Sequence, residues 1–345
     1  MSRTTIFRFI LIVEKVTFLK SWMRDCAMSV DWLWFLLACL IIFGSASLIL
    51  KSLLRISMFL RVSEFVTGFL LLGFATSLPE LFIGIAAATS KNASLALGNV
   101  LGANILDLTL VTGIPIVLAR SMRVAGEHEK RDALWMFFLA LLPLVLMVLG
   151  KSLSRLDGAI LIAVFVVYAY HLLRERKGFH RHMRDGVSKE GVVVYSVLFV
   201  LSVVVLFYAS TVAVTFATRI SESLALPSIF IGLFVLSLGT TLPELSVNIT
   251  AALKREGEVA VGNIVGSVVS NSTLVLGVTA LIYPIEANFL YFLSASVFML
   301  MAAFLFAAFI DAGKRLYWKE GVALILLYVF FLVVELNLKG LISSG

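Results

Sequence analysis

The sequence predicts an all-α polytopic membrane protein with ten transmembrane helices, arranged as two inverted five-helix repeats with broken central helices. Three observations predict this fold. The chain of 345 residues is 61% hydrophobic and only 14% charged, which is more apolar surface than a soluble protein of this size can bury. Its apolar residues form blocks of about 20, the length that crosses a bilayer core as a helix. One polar motif occurs twice, 164 positions apart.

The ten predicted spans are separated by short stretches of charged and turn-forming residues. They are too long and too continuous for the strands of a membrane barrel, which alternate over about 10 residues. In chain order the spans cover residues 32–50, 63–89, 93–118, 133–150, 156–173, 191–217, 226–252, 258–282, 287–309 and 318–337.

Two segments of the sequence are copies of one pattern. Residues 73–113 align without a gap with residues 237–277, so that Glu80 meets Glu244 at an offset of 164 positions. Each copy belongs to a group of five spans, and because five is odd the second group enters the membrane upside down. In such inverted repeats the substrate sites lie near the bilayer midplane, at the interface between the repeats.

The repeat divides the chain into four parts. Residues 31–173 form the first five-helix repeat, residues 174–190 a basic cytoplasmic linker, and residues 191–345 the second, inverted repeat. The N-terminal extension, residues 1–30, carries five Lys and Arg residues, although its position predicts that it lies outside. Three interpretations stay open: an interfacial amphipathic helix, part of a removed signal, or a true start at Met28.

The basic residues predict the orientation of the spans. Eighteen Lys and Arg residues fall in the loops after odd-numbered spans, and five fall after even-numbered spans. The positive-inside rule places the larger set in the cytoplasm, so both ends of the ten-helix core face the outside of the cell. The expected location is the cell (plasma) membrane. This distribution accounts for the net charge of +7, and nucleic acid is not an expected partner.

The two glutamates of the repeated motif permit two interpretations. Ser77-x-x-Glu80 and Thr241-x-x-Glu244 are capping-box patterns with a proline in the first helical turn, so both glutamates could simply cap helices. A capped helix start in mid-membrane, however, means a broken helix, which survives there only where it faces protein or a watery cavity. An acid at the bilayer centre costs about 2.5–3.5 kcal/mol on insertion scales. The repetition of this costly arrangement favours a functional role, with which capping could coexist.

The span after each glutamate supplies further polar groups. Asp107 in the first copy stands where Asn271 stands in the second, and Ala103 stands where Ser267 has a hydroxyl. Residues four positions apart share one face of a helix. Asp107, Asn271 and Ser267 are therefore expected to face the same centre as the glutamates.

Small and amide residues accompany these groups. Gly98-x-x-x-Gly102 and the corresponding pair in the second copy are interpreted as faces for close helix packing. For Asn99 and Asn263 two interpretations stay open, an interhelical hydrogen bond and a role near bound ions.

All the polar groups predicted at the centre are hard oxygen donors. Two glutamates, one aspartate, one asparagine, several hydroxyls and freed backbone carbonyls suit Ca²⁺, which takes about 6–8 oxygens, and the same oxygens suit Na⁺. Three acids this close cannot all carry a charge in an ion-free site, because like charges repel and burial removes hydration. We expect some of them to hold protons or monovalent ions until a divalent ion arrives, which is the physical basis of exchange.

Other kinds of site are not indicated. Two cysteines are too few for a thiolate metal site, and the four histidines fall in loops or at a span end. An intramembrane enzyme would need a nucleophile with a base, or a metal-bound water, so we expect neither an enzyme nor a cofactor. A cation channel could use the same acids, but inverted repeats with a closed midplane site are typical of alternating access.

The paired motifs resemble the two α-repeats of the sodium/calcium exchanger family, within the cation/calcium antiporter superfamily. The residues that carry the resemblance are "ATSLPEL" with "LGNVLGANILD", and "GTTLPELS" with "VGNIVGSVVSN". The resemblance covers the whole ten-span core, about residues 31–340. It implies two inverted five-helix halves with the motif spans clustered centrally, and a prokaryotic-type antiporter that exchanges Ca²⁺ for Na⁺. We expect it to function as a monomer whose partners are these ions and membrane lipid.

The resemblance also implies roles for individual residues. Glu80 and Glu244 would bind the divalent ion with help from Thr76 and Thr240. The flanking monovalent sites would be lined by Ser77, Thr241, Ser267, Asp107 and Asn271.

Three departures from the family pattern bear on which ions the site binds. Relatives often have the carboxamide in the first repeat and the carboxylate in the second, whereas Asp107 and Asn271 are exchanged here; pseudo-symmetry preserves the composition of the centre, so divalent binding should survive. Ala103 replaces a serine expected at a monovalent site. The stretch "GSVVSNSTLVLG" resembles the proton-coupled relatives. Antiport of H⁺ against Ca²⁺ or another divalent cation is therefore the alternative, and a cation channel comes third.

Overall fold

The computed structural model describes residues 3–59, 73–124, 127–175 and 189–343. Within these residues the chain forms fifteen helices, two π-helical turns and two short strands. In chain order they are α1 (Arg3–Phe59), α2 (Gly73–Thr76), α3 (Leu78–Thr89), α4 (Ala93–Leu108), α5 (Leu110–Ala119), β1 (Ser121–Arg123), α6 (Glu127–Gly150), α7 (Arg155–Glu175), α8 (Lys189–Ser223), α9 (Ser228–Ile231), π1 (Gly232–Leu236), α10 (Ser237–Thr240), α11 (Leu242–Leu253), α12 (Gly257–Val269), π2 (Ser270–Val275), α13 (Leu276–Ile282), α14 (Phe289–Ala312), β2 (Arg315–Tyr317) and α15 (Trp318–Ser343).

The helical membrane class predicted from the sequence is confirmed. In the described residues, eight helices are long and apolar enough to cross a membrane, or nine when the bent pair Ser228–Thr240 and Leu242–Leu253 counts as one span. They occupy the positions of nine of the ten predicted spans. The remaining predicted span, 63–89, is described only from residue 73, as an apolar segment that ends at Thr89. The number ten and the inverted arrangement stay predictions.

The N-terminal extension continues directly into the first span. Helix α1 runs without interruption from Arg3 to Phe59, so no turn separates residues 3–30 from the span. The side chains before Met28 lie outside the described ones, and the three interpretations of the extension stay open. The predicted linker, 174–190, also lies almost wholly outside the described residues, which include only positions 174, 175, 189 and 190 of it.

The helices that carry the second half of each motif form the centre of the molecule. In the most apolar 18-residue stretch of Ala93–Ala119, and of Gly257–Ile282, 83% of the residues are buried, against 17% for the corresponding stretch of α8. Helix α4 packs against α9, π1 and α14, and α12 packs against α2, α6 and α11. Outer helices such as α6, α7 and α8 expose apolar side chains, which suits a surface in contact with lipid.

The close helix packing predicted for the glycines is confirmed at the first motif. A Cβ on Gly98 would collide with the backbone carbonyl of Ile229, and one on Gly102 would lie 2.6 Å from the Ser237 hydroxyl. Gly73 approaches Gly266 so closely that its Cβ would lie 2.8 Å from the Gly266 Cα. Only residues without a side chain let two helix backbones approach this far.

A small β-ribbon, which the sequence did not predict, accompanies the helices. Strand β1 pairs antiparallel with β2, with Ser121 opposite Tyr317, and the Val124 N–H extends the pairing by donating to the Lys314 carbonyl at 2.9 Å. Strands of three residues are too short to produce an alternating pattern that sequence reasoning could detect.

A second, isolated pairing is the counterpart of this ribbon. Leu153 and Ile285 form an antiparallel bridge with backbone hydrogen bonds of 3.0 Å in both directions. The offset of 164 residues carries Ser121 to Ile285 and Leu153 to Tyr317. The two pairings are therefore equivalent under the repeat, and each joins the first half of the chain to the second.

Candidate functional site

The site begins at two breaks in the helices that carry the motif "LPEL". Helix α2 ends before Ser77, whose backbone lies at φ −81° and ψ 2°, and α10 ends before Thr241, at φ −85° and ψ 1°. Each following helix starts with Leu-Pro-Glu. Proline has no N–H to donate to the carbonyl four residues earlier, so it interrupts the backbone ladder at this point. The second break bends its span by 45°.

The capping-box interpretation of the motif is wrong. Neither Ser77 nor Thr241 makes a side-chain cap hydrogen bond to the helix that follows. The Ser77 hydroxyl instead donates back to the Gly73 carbonyl at 3.0 Å, and the Thr241 hydroxyl donates to the Ser237 carbonyl at 2.9 Å. The carbonyl one turn earlier stays within reach because the backbone bends without uncoiling, so it competes successfully for the hydroxyl.

Glu80 and Glu244 lie inside the protein, each with 1% of its surface exposed. Among the described residues, none of their four carboxylate oxygens has a hydrogen-bond partner by geometric criteria. The threonines beside them come from the opposite repeat: the Thr240 hydroxyl lies beside Glu80, and the Thr76 hydroxyl lies beside Glu244. This crossed arrangement brings the two breaks together at one centre.

Asp107 completes the acidic set. It is 1% exposed and lies within electrostatic range of Glu80 and Glu244. Both of its carboxylate oxygens lack a hydrogen-bond partner within the described part of the chain. Three buried acids with orphaned oxygens are costly in an apolar interior unless they serve a cation or a proton.

Asn271 lies at the position equivalent to Asp107, but in a different backbone. It belongs to the π-helical turn π2, whereas Asp107 lies in the last turn of α4. Its side-chain oxygen is buried and without a partner among the described residues, while its amide nitrogen is hydrogen-bonded. Single π-helical turns inside α-helices are frequent at functional sites.

Asparagine and threonine pairs connect the two halves of the site. The Thr76 hydroxyl lies 3.3 Å from the Asn263 side-chain oxygen, and the Thr240 hydroxyl lies 3.4 Å from that of Asn99. Both asparagines thus make an interhelical hydrogen bond, and each bond is made to a predicted ion-site threonine. The interpretation as interhelical hydrogen bonds is therefore confirmed, and the role near bound ions stays a prediction.

Hydroxyl groups surround the carbonyl one turn before each break, but unequally. The Gly73 carbonyl has the hydroxyls of Thr76, Ser77 and Ser267 at 3.5, 3.0 and 3.4 Å. Within the described part of the chain, the equivalent Ser237 carbonyl has only those of Thr240 and Thr241, at 3.3 and 2.9 Å, because Ala103 stands where Ser267 stands in the other repeat. We call the first arrangement the three-hydroxyl cluster.

The predicted ligands do not form a closed cage of carboxylates. Among the described His, Cys, Asp and Glu residues, no three side chains converge closely enough to hold a metal ion by themselves. The arrangement is instead a mixed set of carboxylate, amide, hydroxyl and carbonyl oxygens from both repeats. Such a set suits a hard cation with flexible geometry, such as Ca²⁺ or Na⁺.

Sequence reasoning missed three polar residues that support the site. Asn104 and Ser272 form hydrogen bonds next to Asn271, and the Asn248 side-chain oxygen accepts from the Asn263 amide at 3.2 Å. Comparing the repeats could not reveal Asn104, because its counterpart is Val268. An asparagine in mid-span, itself unusual in a membrane, was the available signal.

A family model and two similar proteins match most of the chain. The model described as sodium/calcium exchanger protein matches residues 30–174 and 194–337. The sodium/calcium exchanger MaX1 of Methanosarcina acetivorans is 27% identical, over 89% of this chain and 98% of its own length. The inner membrane protein YrbG of Escherichia coli is 29% identical, over 71% of this chain and 78% of its own length.

A solved structure supports the fold independently. A structure of the sodium-calcium exchanger NCX_Mj, soaked with Na⁺ and Sr²⁺, superimposes with a TM-score of 0.64 at 21% identity. The match covers 88% of this chain and 97% of that one. At this level of identity the likeness concerns the fold.

Proposed function

The chain belongs to the sodium/calcium exchanger protein family, and we propose that it is a secondary antiporter that exchanges Ca²⁺ for Na⁺ by alternating access at a midplane carboxylate site. One observation carries the proposal. Glu80 and Glu244 are buried at equivalent helix breaks, and each lies beside the threonine of the opposite repeat. A cation between the two glutamates would be bound by both halves of the protein at once.

The proposed roles of the residues follow from the positions of their oxygens. Glu80 and Glu244, with Thr76 and Thr240, hold the divalent ion. Asp107 adds a third charge that interacts with both glutamates. The flanking monovalent sites are lined by Ser77, Thr241, Ser267, Asp107 and Asn271, and the three-hydroxyl cluster is the better equipped of the two flanks. Because the two ions share the carboxylates, they compete for them, and binding of one favours release of the other.

In many secondary transporters, alternating access is built on two halves related by inversion. Two backbone pairings support this arrangement, because the repeat carries the Ser121–Tyr317 pairing onto the Leu153–Ile285 pairing. If the repeats are inverted, these pairings lie on opposite sides of the membrane. Rocking of one half against the other would then expose the same oxygens first to one side and then to the other. The positive-inside rule places both ends of the core outside the cell.

A proton-coupled antiporter is the second candidate, and Ala103 is the observation that favours it. The flank of the site around the Ser237 carbonyl has one hydroxyl fewer than its counterpart, which weakens a Na⁺ site there. The buried carboxylates could carry protons instead.

Flux measurements in proteoliposomes test both candidates. We expect uptake of radiolabelled Ca²⁺ to follow an imposed Na⁺ gradient, with the membrane potential and pH clamped by ionophores. Uptake that ignores the Na⁺ gradient but follows a pH gradient establishes proton coupling. Uptake driven by the Ca²⁺ gradient alone, in the absence of Na⁺ and without a counter-flow of protons, indicates a channel and contradicts antiport. Protein-free liposomes provide the background.

A further inference from the structure

Asn104 is a buried amide that belongs to neither copy of the repeated motif. It lies on α4 with 0% of its surface exposed. Its amide nitrogen donates to the Ser272 hydroxyl at 2.9 Å and lies 3.5 Å from the Met299 sulfur. Its side-chain oxygen accepts a hydrogen bond from the Asn271 amide nitrogen at 3.2 Å. All the polar atoms of this side chain are therefore used.

This network has a direction. A thioether sulfur can only accept a hydrogen bond, so the Asn104 nitrogen faces Met299 and the Asn104 oxygen faces Asn271. The Asn104 oxygen can only accept, so it turns the Asn271 nitrogen towards itself. The Asn271 oxygen is left as the free end of that amide, and it is fully buried without a hydrogen-bond partner among the described residues.

An amide at a cation site must be held in one orientation. Its two ends have the same shape, but only the oxygen attracts a cation, and a half-turn about the last side-chain bond would present the N–H groups instead. A carboxylate carries an oxygen at both ends and needs no such control. The equivalent position in the first repeat holds a carboxylate, Asp107, and there the counterpart of Asn104 is the apolar Val268. Asn104 thus accompanies the amide of Asn271, whereas the apolar Val268 accompanies the carboxylate of Asp107, which needs no orientation.

We propose that Asn104 is a positioning residue for the ion site: it fixes the Asn271 amide so that its oxygen, not its nitrogen, faces the cations. The inference rests on the proposed function, because it assumes that Asn271 faces transported ions. It assigns no ligand role to Asn104. Helix α4 then contributes to both halves of the site. It supplies the Asp107 carboxylate to one half, and it orients Asn271 in the other half through the Asn104–Asn271 hydrogen bond.

The test is a double-mutant cycle read as the half-saturating Ca²⁺ concentration of exchange. Asn104→Leu removes the acceptor at similar volume, and we expect it to raise this concentration by about tenfold or more, as loss of a hydrogen bond that orients a metal ligand typically does. Asn271→Ala removes the oriented amide itself. In that background Asn104→Leu should add less than about twofold, because residues that act through one another are not additive.

Three results separate orientation from packing. Val268→Ala makes a cavity at the mirrored position and should leave the half-saturating Ca²⁺ concentration near that of the wild type. If Asn104→Leu fails to fold, Ser272→Ala combined with Met299→Leu removes both acceptors of the Asn104 nitrogen and should shift the concentration in the same direction. Effects of Asn104→Leu and Asn271→Ala that multiply, or a loss confined to the maximal rate, overturn the inference. A wild-type protein that carries no Ca²⁺ under any gradient instead overturns the proposed function.

Discussion

Single oxygen atoms decide what the centre of this protein can bind. Both repeats have a glutamate at the equivalent positions 80 and 244. They differ at two other pairs of equivalent positions, which hold Asp107 against Asn271 and Ala103 against Ser267. The glutamates therefore set a shared, symmetric part of the site, and the differing pairs make its two flanks unequal. In the proposed mechanism, divalent binding depends on the first part, and the affinity for the monovalent ion depends on the second.

The glutamates give the sharpest prediction at this scale. Glu80→Gln and Glu244→Gln each keep the size of the side chain and remove its charge, so we expect exchange of Ca²⁺ to fall to the level of protein-free liposomes. Both variants should still fold, because an unpaired buried charge stabilises no contact. Radiolabelled Ca²⁺ flux and the thermal unfolding midpoint in detergent measure the two expectations. Near-normal flux in either variant would show that the site lies elsewhere.

The missing hydroxyl of Ala103 can be restored. Ser267 points its hydroxyl at the Gly73 carbonyl, so Ala103→Ser should point one at the equivalent Ser237 carbonyl. We expect the Na⁺ concentration for half-maximal exchange to fall, with the Ca²⁺ requirement nearly unchanged. Ala96→Ser, a buried alanine on the same helix outside the site, serves as the control. Flux that follows only a pH gradient in both the wild type and Ala103→Ser would exclude sodium coupling.

At the scale of elements, breaks in the helices place the site. Both motif helices are interrupted at a residue with ψ near 0°, followed by Leu-Pro-Glu, and the second is bent there by 45°. The break turns the first turn of α3 and of α11, with its glutamate, towards the opposite repeat. The π-helical turn π2 has a related effect, because an extra residue in one turn rotates every side chain that follows it.

Proline at the first break can be tested directly. Pro79→Ala restores an N–H that can donate to the Ala75 carbonyl, so the helix can continue straight through Ser77. We expect weaker Ca²⁺ binding in transport assays without a lower thermal unfolding midpoint, because the change adds a backbone hydrogen bond while moving Glu80. Pro143→Ala, inside α6 and away from the site, is the matched control. A Pro79→Ala protein with unchanged Ca²⁺ dependence would show that the break is not needed to position the glutamate.

At the scale of the whole molecule, the repeat implies that equivalent loops lie on opposite sides of the membrane. Lys91 and Arg255 are equivalent under the offset, are both exposed, and both adopt a left-handed backbone, with φ of 58° and 62°. They end α3 and α11 in turns of the same shape. The positive-inside rule places Arg255 in the cytoplasm and Lys91 outside.

Cysteine labelling measures this arrangement. In a background with Cys26 and Cys39 replaced by serine, Lys91→Cys should react with a membrane-impermeant maleimide added to intact cells. Arg255→Cys should react only after the membrane is opened. Reaction of both cysteines from the same side would contradict the inverted repeat and the alternating-access mechanism that depends on it.

The sequence by itself determined the class of the protein and the alignment of its two halves with each other. Apolar blocks of membrane length can fold only as helices that satisfy their own backbone, and the ungapped alignment of the two motifs fixed which residues are equivalent. It also identified Glu80, Glu244 and Asp107 as the costly groups, since acids in a membrane segment stand out from composition alone. These conclusions depend only on local residue type and spacing.

Only the tertiary structure decided how the polar groups meet. Thr240 lies beside Glu80 and Thr76 beside Glu244, and no spacing along the chain predicts this exchange, because it depends on how two distant helix pairs pack. The motif hydroxyls bond to the preceding turn rather than cap the next, because the bend keeps an earlier carbonyl within reach. Asn104 and Asn271 are 167 positions apart and break the repeat pattern, so their hydrogen bond became visible only when packing brought α4 and π2 together.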